Sequence, residues 1–259
     1  MKKRVGLILR PDINGTNKDI FEIYDNFRKI IIDNNCTPVG IIPNISDINN
    51  KLNNDKINEL INEVKRCDGI ICQGGDEFYD YDKVIVKYVI ENDIPILGVC
   101  LGMQLMSSVY EDNITLLDNN YHNHKNCNHN ITIDKTSKLY SIIGEEKLNV
   151  NSYHKEYVTN PGIYSVSAYS DDGVIEGLEY NDNTFNIGVQ WHPERDMEKV
   201  YNQKLFNAFF EAIEKKSIIW YSSFCYLDTY FWLLALIDFL LVYSIKFVFN
   251  KGLIIFTEI

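Results

Sequence analysis

Four short apolar runs, Val5–Leu9, Val39–Ile42, Gly69–Cys72 and Ile96–Val99, punctuate the first hundred residues at intervals filled by segments of helical period. Between the first and second runs, Ile20, Ile23, Tyr24, Phe27, Ile30 and Ile31 repeat at the spacing that lines one face of a helix over about residues 19–34. Ile57, Leu60, Ile61 and Val64 do the same over Asp55–Arg66, and Val84–Asn92 and Leu101–Val109 are also helical in pattern. Strands alternating with helices predict βαβ units, a mostly parallel central sheet and helices on both faces, that is, an α/β three-layer sandwich.

The second half changes character. Asn119–Asn130 is polar and is expected as a loop. Ile131–Ile133, Leu148–Asn151, Ile163–Tyr169, Ile175–Tyr180 and Phe185–Gln190 are expected as shorter strands, with turns at Asp171-Asp172-Gly173 and Asn181-Asp182-Asn183. A final amphipathic helix over about residues 197–216 directs Val200, Leu205, Phe206, Phe209 and Ile213 inward. The expected domain is therefore 1–216, and 217–259 form a hydrophobic tail of different composition.

Charge narrows the function. A formal charge of −11 argues against nucleic acid and against electrostatic docking on anionic lipid, both of which need a basic face. Six cysteines without C-x-x-C spacing are expected to be free thiols in a reducing, cytoplasmic compartment. The apolar run after the basic start is too short for a secretory signal.

Three motifs carry chemistry. Gly98-Val99-Cys100-Leu101-Gly102 joins a buried strand to a helix, the setting of a nucleophile elbow. Free N–H groups at the helix start can stabilise negative charge beside Cys100 or on an oxyanion. Taken alone, Cys100 could equally be a buried core thiol. Gly188-Val189-Gln190-Trp191-His192-Pro193-Glu194 closes an apolar strand. There His192 can serve as base toward Cys100, and Glu194, two residues on along an extended segment, can orient the imidazole. Gln73-Gly74-Gly75-Asp76 ends the third strand, and parallel strands gather such loops in one crevice. The N–H groups of Gly75 and Leu101 would then form the oxyanion hole.

These motifs, in this order over roughly residues 4–214, resemble the class I glutamine amidotransferase superfamily, and in particular its γ-glutamyl-γ-aminobutyrate hydrolase branch, peptidase family C26. Val150-Asn151-Ser152-Tyr153-His154, Asp172-Gly173-Val174-Ile175-Glu176-Gly177 and the segment His129–Ile133 also find counterparts. The resemblance implies a flavodoxin-like α/β fold, a Cys100/His192/Glu194 triad and a thioester mechanism releasing glutamate. It also implies that Gln104, Ser152, Tyr153 and His154 lie near the γ-glutamyl group. The family usually has proline where Gln73 stands, and the stretch from Gly75 to Cys100 is shorter than in many γ-glutamyl hydrolases, so the amine leaving group stays open. The alternatives are a glutaminase subunit feeding ammonia to a separate synthetase partner, and an inactive binding or regulatory module.

No cofactor and no metal is expected. His122, His124, Cys127 and His129 are close in sequence, but their spacing fits no regular zinc pattern and the loop reads as a border of the active site. In the tail, Thr229–Phe249 is long enough for a bilayer at about 20 apolar residues, although Asp238 near its middle would cost roughly 2.5–3.5 kcal/mol. A membrane anchor, a packing or oligomer contact, and out-of-frame sequence are the three readings of 217–259.

Overall fold

A computed structural model of the chain describes residues 2–13, 19–110, 114–116 and 124–216. His122, Cys225 and the whole tail discussed above lie outside the described residues. The chain divides into a compact unit, Met1–Glu214, and a second unit, Lys215–Ile259.

The first unit is built on a nine-stranded mixed sheet. Its strands are β1 (Arg4–Ile8), β4 (Thr37–Ile41), β5 (Gly69–Cys72), β6 (Ile96–Val99), β8 (Lys125–Ile133), β9 (Lys147–Tyr153), β11 (Ser165–Ser170), β12 (Ile175–Glu179) and β13 (Asn186–Val189). They lie in the order β4-β1-β5-β6-β13-β12-β11-β8-β9. The first five run parallel, and β12, β11, β8 and β9 continue the sheet antiparallel. Helices α1 (Asp25–Asp33), α2 (Asn54–Val64), α3 (Asp80–Glu91), α4 (Leu101–Ser107) and α5 (Lys138–Ile143) pack on it, with α6 over residues 200–216.

Alternation along the strands sorts the core into two faces. Val5 and Leu7 of β1, Ile71 of β5, and Leu97 and Val99 of β6 pack with Phe27 of α1 and Phe206 and Phe209 of α6. Ile8, Ile70, Cys72 and Ile96 face the other way, toward Leu60 of α2, Val86 of α3 and Met103 and Met106 of α4. This is the expected three-layer α/β sandwich.

Local structure departs from expectation where polar residues disguise strands. The helix expected from residue 19 starts at Asp25, because β2 (Arg10–Ile13) and β3 (Asp19–Glu22) pair as a hairpin. The polar stretch expected as a loop through Asn130 is β8 from Lys125 onward, with a register shift at Asn126, whose φ is 54°. Its core face begins at His129 and continues through Ile131 and Ile133, a period-2 signal masked by asparagine, a poor strand former. Two short strands, β7 (Ile114–Leu116) and β10 (Glu156–Val158), also pair outside the main sheet. Helix α5 carries its own punctuation: the Ser137 side chain caps Tyr140 N–H, and Gly144 ends it left-handed at φ 77°.

Candidate active site

Parallel strands β5, β6 and β13 end at one edge, and each delivers a piece of the site there. From β6 the chain turns sharply at Cys100, whose φ of 54° and ψ of −109° are strained for a residue with a Cβ. The strain is held from both sides. Cys100 N–H donates to Val189 O on β13, and the Cys100 carbonyl accepts from Met103 and Gln104. Close packing under the turn requires glycine next in line, since a Cβ on Gly102 would collide with the Cys72 carbonyl of β5.

From β13 the chain leaves the sheet through Trp191 and enters a 3-10 turn at Pro193–Arg195. The His192–Glu194 stretch is therefore not extended, yet His192 Nδ1 lies 2.8 Å from Glu194 Oε1, and both are buried. His192 and Cys100 face each other across Gly74 and line the same cavity. Burial pulls the imidazole pKa down, but the hydrogen bonds and negative charges of Cys100 and Glu194 outweigh it and raise it to about 9. Burial raises the thiol of Cys67 to about 11 and that of Cys72 to about 12.

Asn151 on β9 clamps the histidine. Its side chain accepts from His192 N–H at 2.8 Å and donates to His192 O at 2.9 Å and to Asp196 at 2.8 Å. Trp191 Nε1 donates to Asn202 Oδ1 from below. From β5, the Gln73 amide donates to Ile8 O and Glu22 O and accepts from Tyr24 N–H. Glutamine in the place of the family's proline thus ties the β2–β3 hairpin and the start of α1 to the crevice. A side chain on Gly74 would run into the His192 ring, whereas Gly75 abuts Leu101 and Arg10.

Two cavities meet over Cys100, sharing Gly75, Asp76 and Tyr153. One, of about 270 Å³, is lined also by Leu101, Gln104, His154, Lys155 and Glu156. That is just below the roughly 300–1,000 Å³ of sites for drug-sized ligands and suits an amino-acid-sized group. The other, about 160 Å³, runs between Arg10, Asp12, Glu22, Tyr24, His192 and Arg195. The Arg195 guanidinium covers the Tyr153 ring at 4.4 Å, and Tyr153 meets the His192 ring edge-on at 5.6 Å, which makes a shared wall.

Cys100, His192, Glu194, Gly75, Leu101, Gln104 and Tyr153 all gather at this crevice. Gln104 is almost wholly buried, its amide committed to Glu156 O and Gln190 Oε1. Ser152 is not brought to the crevice: strand alternation turns it inward, where its hydroxyl donates to His124 O. His154 lines the cavity, but its ring nitrogens contact Glu156 O and His124. Asn151 and Arg195 are the site residues to which motif reading assigns no role. Arg195 directly follows the His192 motif, and Asn151 lies inside Val150–His154, so adjacency was the available signal.

The peptidase C26 family model matches residues 76–194. A Rickettsia prowazekii protein described as glutamine amidotransferase-like is 26% identical, over 61% of this chain and 80% of its own length. A Schizosaccharomyces pombe protein described as a glutamine amidotransferase is 32% identical, over 48% of this chain and 53% of its own. CTP synthase of Christiangramia forsetii is 24% identical, over 68% of this chain but only 38% of its own. Among solved structures, the glutaminase domain of Trypanosoma brucei CTPS superposes with a TM-score of 0.63 at 17% identity, covering 83% of this chain and 94% of that one. A Thermoplasma acidophilum protein described as belonging to a GMP synthase gives 0.63 at 16% identity, with 85% and 98% covered. By motif and fold the chain resembles the class I glutamine amidotransferases, and its residues 76–194 match the peptidase C26 family model.

Proposed function

We propose that the protein hydrolyses a γ-glutamyl amide bond through a thioester on Cys100. The observation that carries this reading is the strained Cys100 turn beside a buried His192–Glu194 pair at the junction of two cavities. Cys100 Sγ attacks the γ-carbonyl carbon, and the carbonyl oxygen takes the negative charge. The N–H groups of Leu101, the first residue of α4, and of Gly75 are the donors for that oxyanion. Imidazolium His192 gives its proton to the departing amine, and the C–N bond breaks to leave a thioester. Neutral His192 then takes a proton from water, whose oxygen attacks the thioester. Glutamate leaves and the Cys100 sulfur is regenerated.

The 270 Å³ cavity beside Gln104 and Tyr153 fits the glutamyl group, and the polar cavity with Arg10 and Arg195 fits the leaving-amine side. γ-Glutamyl-γ-aminobutyrate, which carries a carboxylate on its amine, is the first candidate substrate, with Arg195 as the cation on that side, since Arg10 is paired with the buried Asp82 and Asp12 and Glu22 also line this cavity.

A second reading is a glutaminase subunit for a separate synthetase, favoured by the match to 38% of a longer CTP synthase. Kinetics separate the two. The purified protein is incubated with γ-glutamyl-γ-aminobutyrate, glutamine and other γ-glutamyl amines, and glutamate is measured. A hydrolase turns over alone. A subunit stays nearly silent on every amide until its partner is added, and that outcome would contradict the proposed function.

A further inference from the structure

Three imidazoles and a carboxylate converge inside the sheet's antiparallel half. His124 precedes β8, His129 lies on β8, His154 follows β9 and Glu176 lies on β12. All four are buried, Glu176 completely. Glu176 Oε1 lies 3.3 Å from His124 Nδ1, 3.4 Å from His129 Nε2 and 3.5 Å from His154 Nε2, and His124 Nδ1 lies 3.0 Å from His154 Nε2. One atom from each of the four falls within 4.8 Å of all the others.

The outer nitrogens set the tautomers. His154 Nδ1 is 2.8 Å from the Glu156 carbonyl, His129 Nδ1 3.3 Å from the Asn130 carbonyl, and His124 Nε2 3.0 Å from the Asp172 carboxylate. Carbonyls and ionised carboxylates only accept, so each outer nitrogen carries the proton. In the neutral tautomer protonated on that outer nitrogen, each ring turns a lone pair inward, and four acceptors face one another. Neither Glu176 oxygen nor His129 Nε2 makes a well-formed hydrogen bond. Buried acceptors arranged in this way need a cation among them. A proton bridges two such atoms; a divalent metal satisfies all four.

We propose that His124 Nδ1, His129 Nε2, His154 Nε2 and Glu176 Oε1 bind one divalent transition-metal ion, zinc above others. A tetrahedron with bonds of about 2.0–2.1 Å has edges of about 3.3 Å; four of the six separations run from 3.0 to 3.5 Å, and the other two, from His129 to the other imidazoles, lie within 4.8 Å. Three imidazoles suit zinc and disfavour calcium or magnesium, which take oxygen ligands. Four protein ligands close the shell, which makes the site structural. Asp172 and the two carbonyls are the outer partners that orient metal-bound imidazoles. A cavity of about 380 Å³ lined by His124, His129 and Asp172 offers the entry path.

Sequence spacing leads to no metal because two ligands come from elsewhere in the chain, His154 just after β9 and Glu176 on β12, and Cys127 is not among the four. The ion would fasten β8, β9 and β12 together. It would also brace the Cys100 cavity, since His154 Nδ1 and Gln104 Nε2 both donate to Glu156 O. It takes no part in the reaction proposed for Cys100, so the two readings fail separately.

The test uses the full chain carrying Cys100→Ala, which removes the reactive thiol as a rival ligand. Expressed with zinc and purified without chelator, it should hold about one metal ion per chain by plasma mass spectrometry. Chelation should lower the melting midpoint, and added zinc should restore it. Glu176→Gln and His129→Ala should lose the ion, and Cys127→Ser should keep it. Should the ligand variants fail to fold, cobalt exchanged into Cys100→Ala decides: a tetrahedral visible spectrum without a thiolate-to-cobalt band is expected. A metal-free protein whose melting ignores zinc, a sulfur-ligated cobalt spectrum, or full metal content in a folded Glu176→Gln variant would each overturn the site.

Discussion

His192 faces Cys100 on one side and Glu194 on the other, and that position decides its pH behaviour. Its pKa is raised to about 9 because the Cys100 and Glu194 contacts outweigh the opposing effect of burial. The fold therefore favours the imidazolium. This contribution to stability is complete below the ordinary histidine value of about 6.5 and is lost as the pH rises through about 9. The charged ring is also the acid for the leaving amine, so kcat/KM should fall on the alkaline side with an apparent pKa near about 9. Glu194→Gln keeps the shape of the 2.8 Å contact but removes its charge. We expect kcat to drop by roughly 10²–10⁴-fold and the alkaline limb to move to lower pH. A pH–rate profile of the two proteins checks both.

At the scale of elements, the site depends on how β9 meets the end of β13. Asn151→Ala removes both bonds to the His192 backbone and leaves a buried N–H and C=O without their partner. Each orphaned group costs about 1–3 kcal/mol, so the loss should be roughly 2–6 kcal/mol in a urea melt. The imidazole would also shift, and displacement on the order of 1 Å costs kcat about 10²-fold. Cys100, His192 and Glu194, which the sequence groups as a candidate triad, come together in the structure because each sits in a short motif at a strand end, where local spacing and chemistry agree. Gln73, Asn151 and Glu176 act through partners many residues away, and no periodicity reports such contacts. The same reason hid β8: its asparagines argue for a loop, and pairing with β9 and β11 overrides them. The β2–β3 hairpin was missed because Ile20 and Ile23 fit a helical face as well as a strand end.

At the scale of the whole molecule, every residue of the site belongs to the unit Met1–Glu214. A chain ended after Lys216 should therefore keep the kcat/KM of the full protein toward the best γ-glutamyl amide, and a drop of tenfold or more would give the tail a part in the site. Fractionation of the two forms reads the tail's own role: a shift from membrane to soluble fraction on truncation supports an anchor, and an unchanged soluble distribution removes it.

The central claim is that Cys100 is the nucleophile for a γ-glutamyl amide. Its most direct test is glutamate release by the wild type and by Cys100→Ala, assayed together, with intact-protein mass spectrometry on the reacting wild type. The account predicts release by the wild type, a covalent glutamyl adduct on Cys100, and a loss of at least about 10⁴-fold in Cys100→Ala. Release that survives in Cys100→Ala would contradict it.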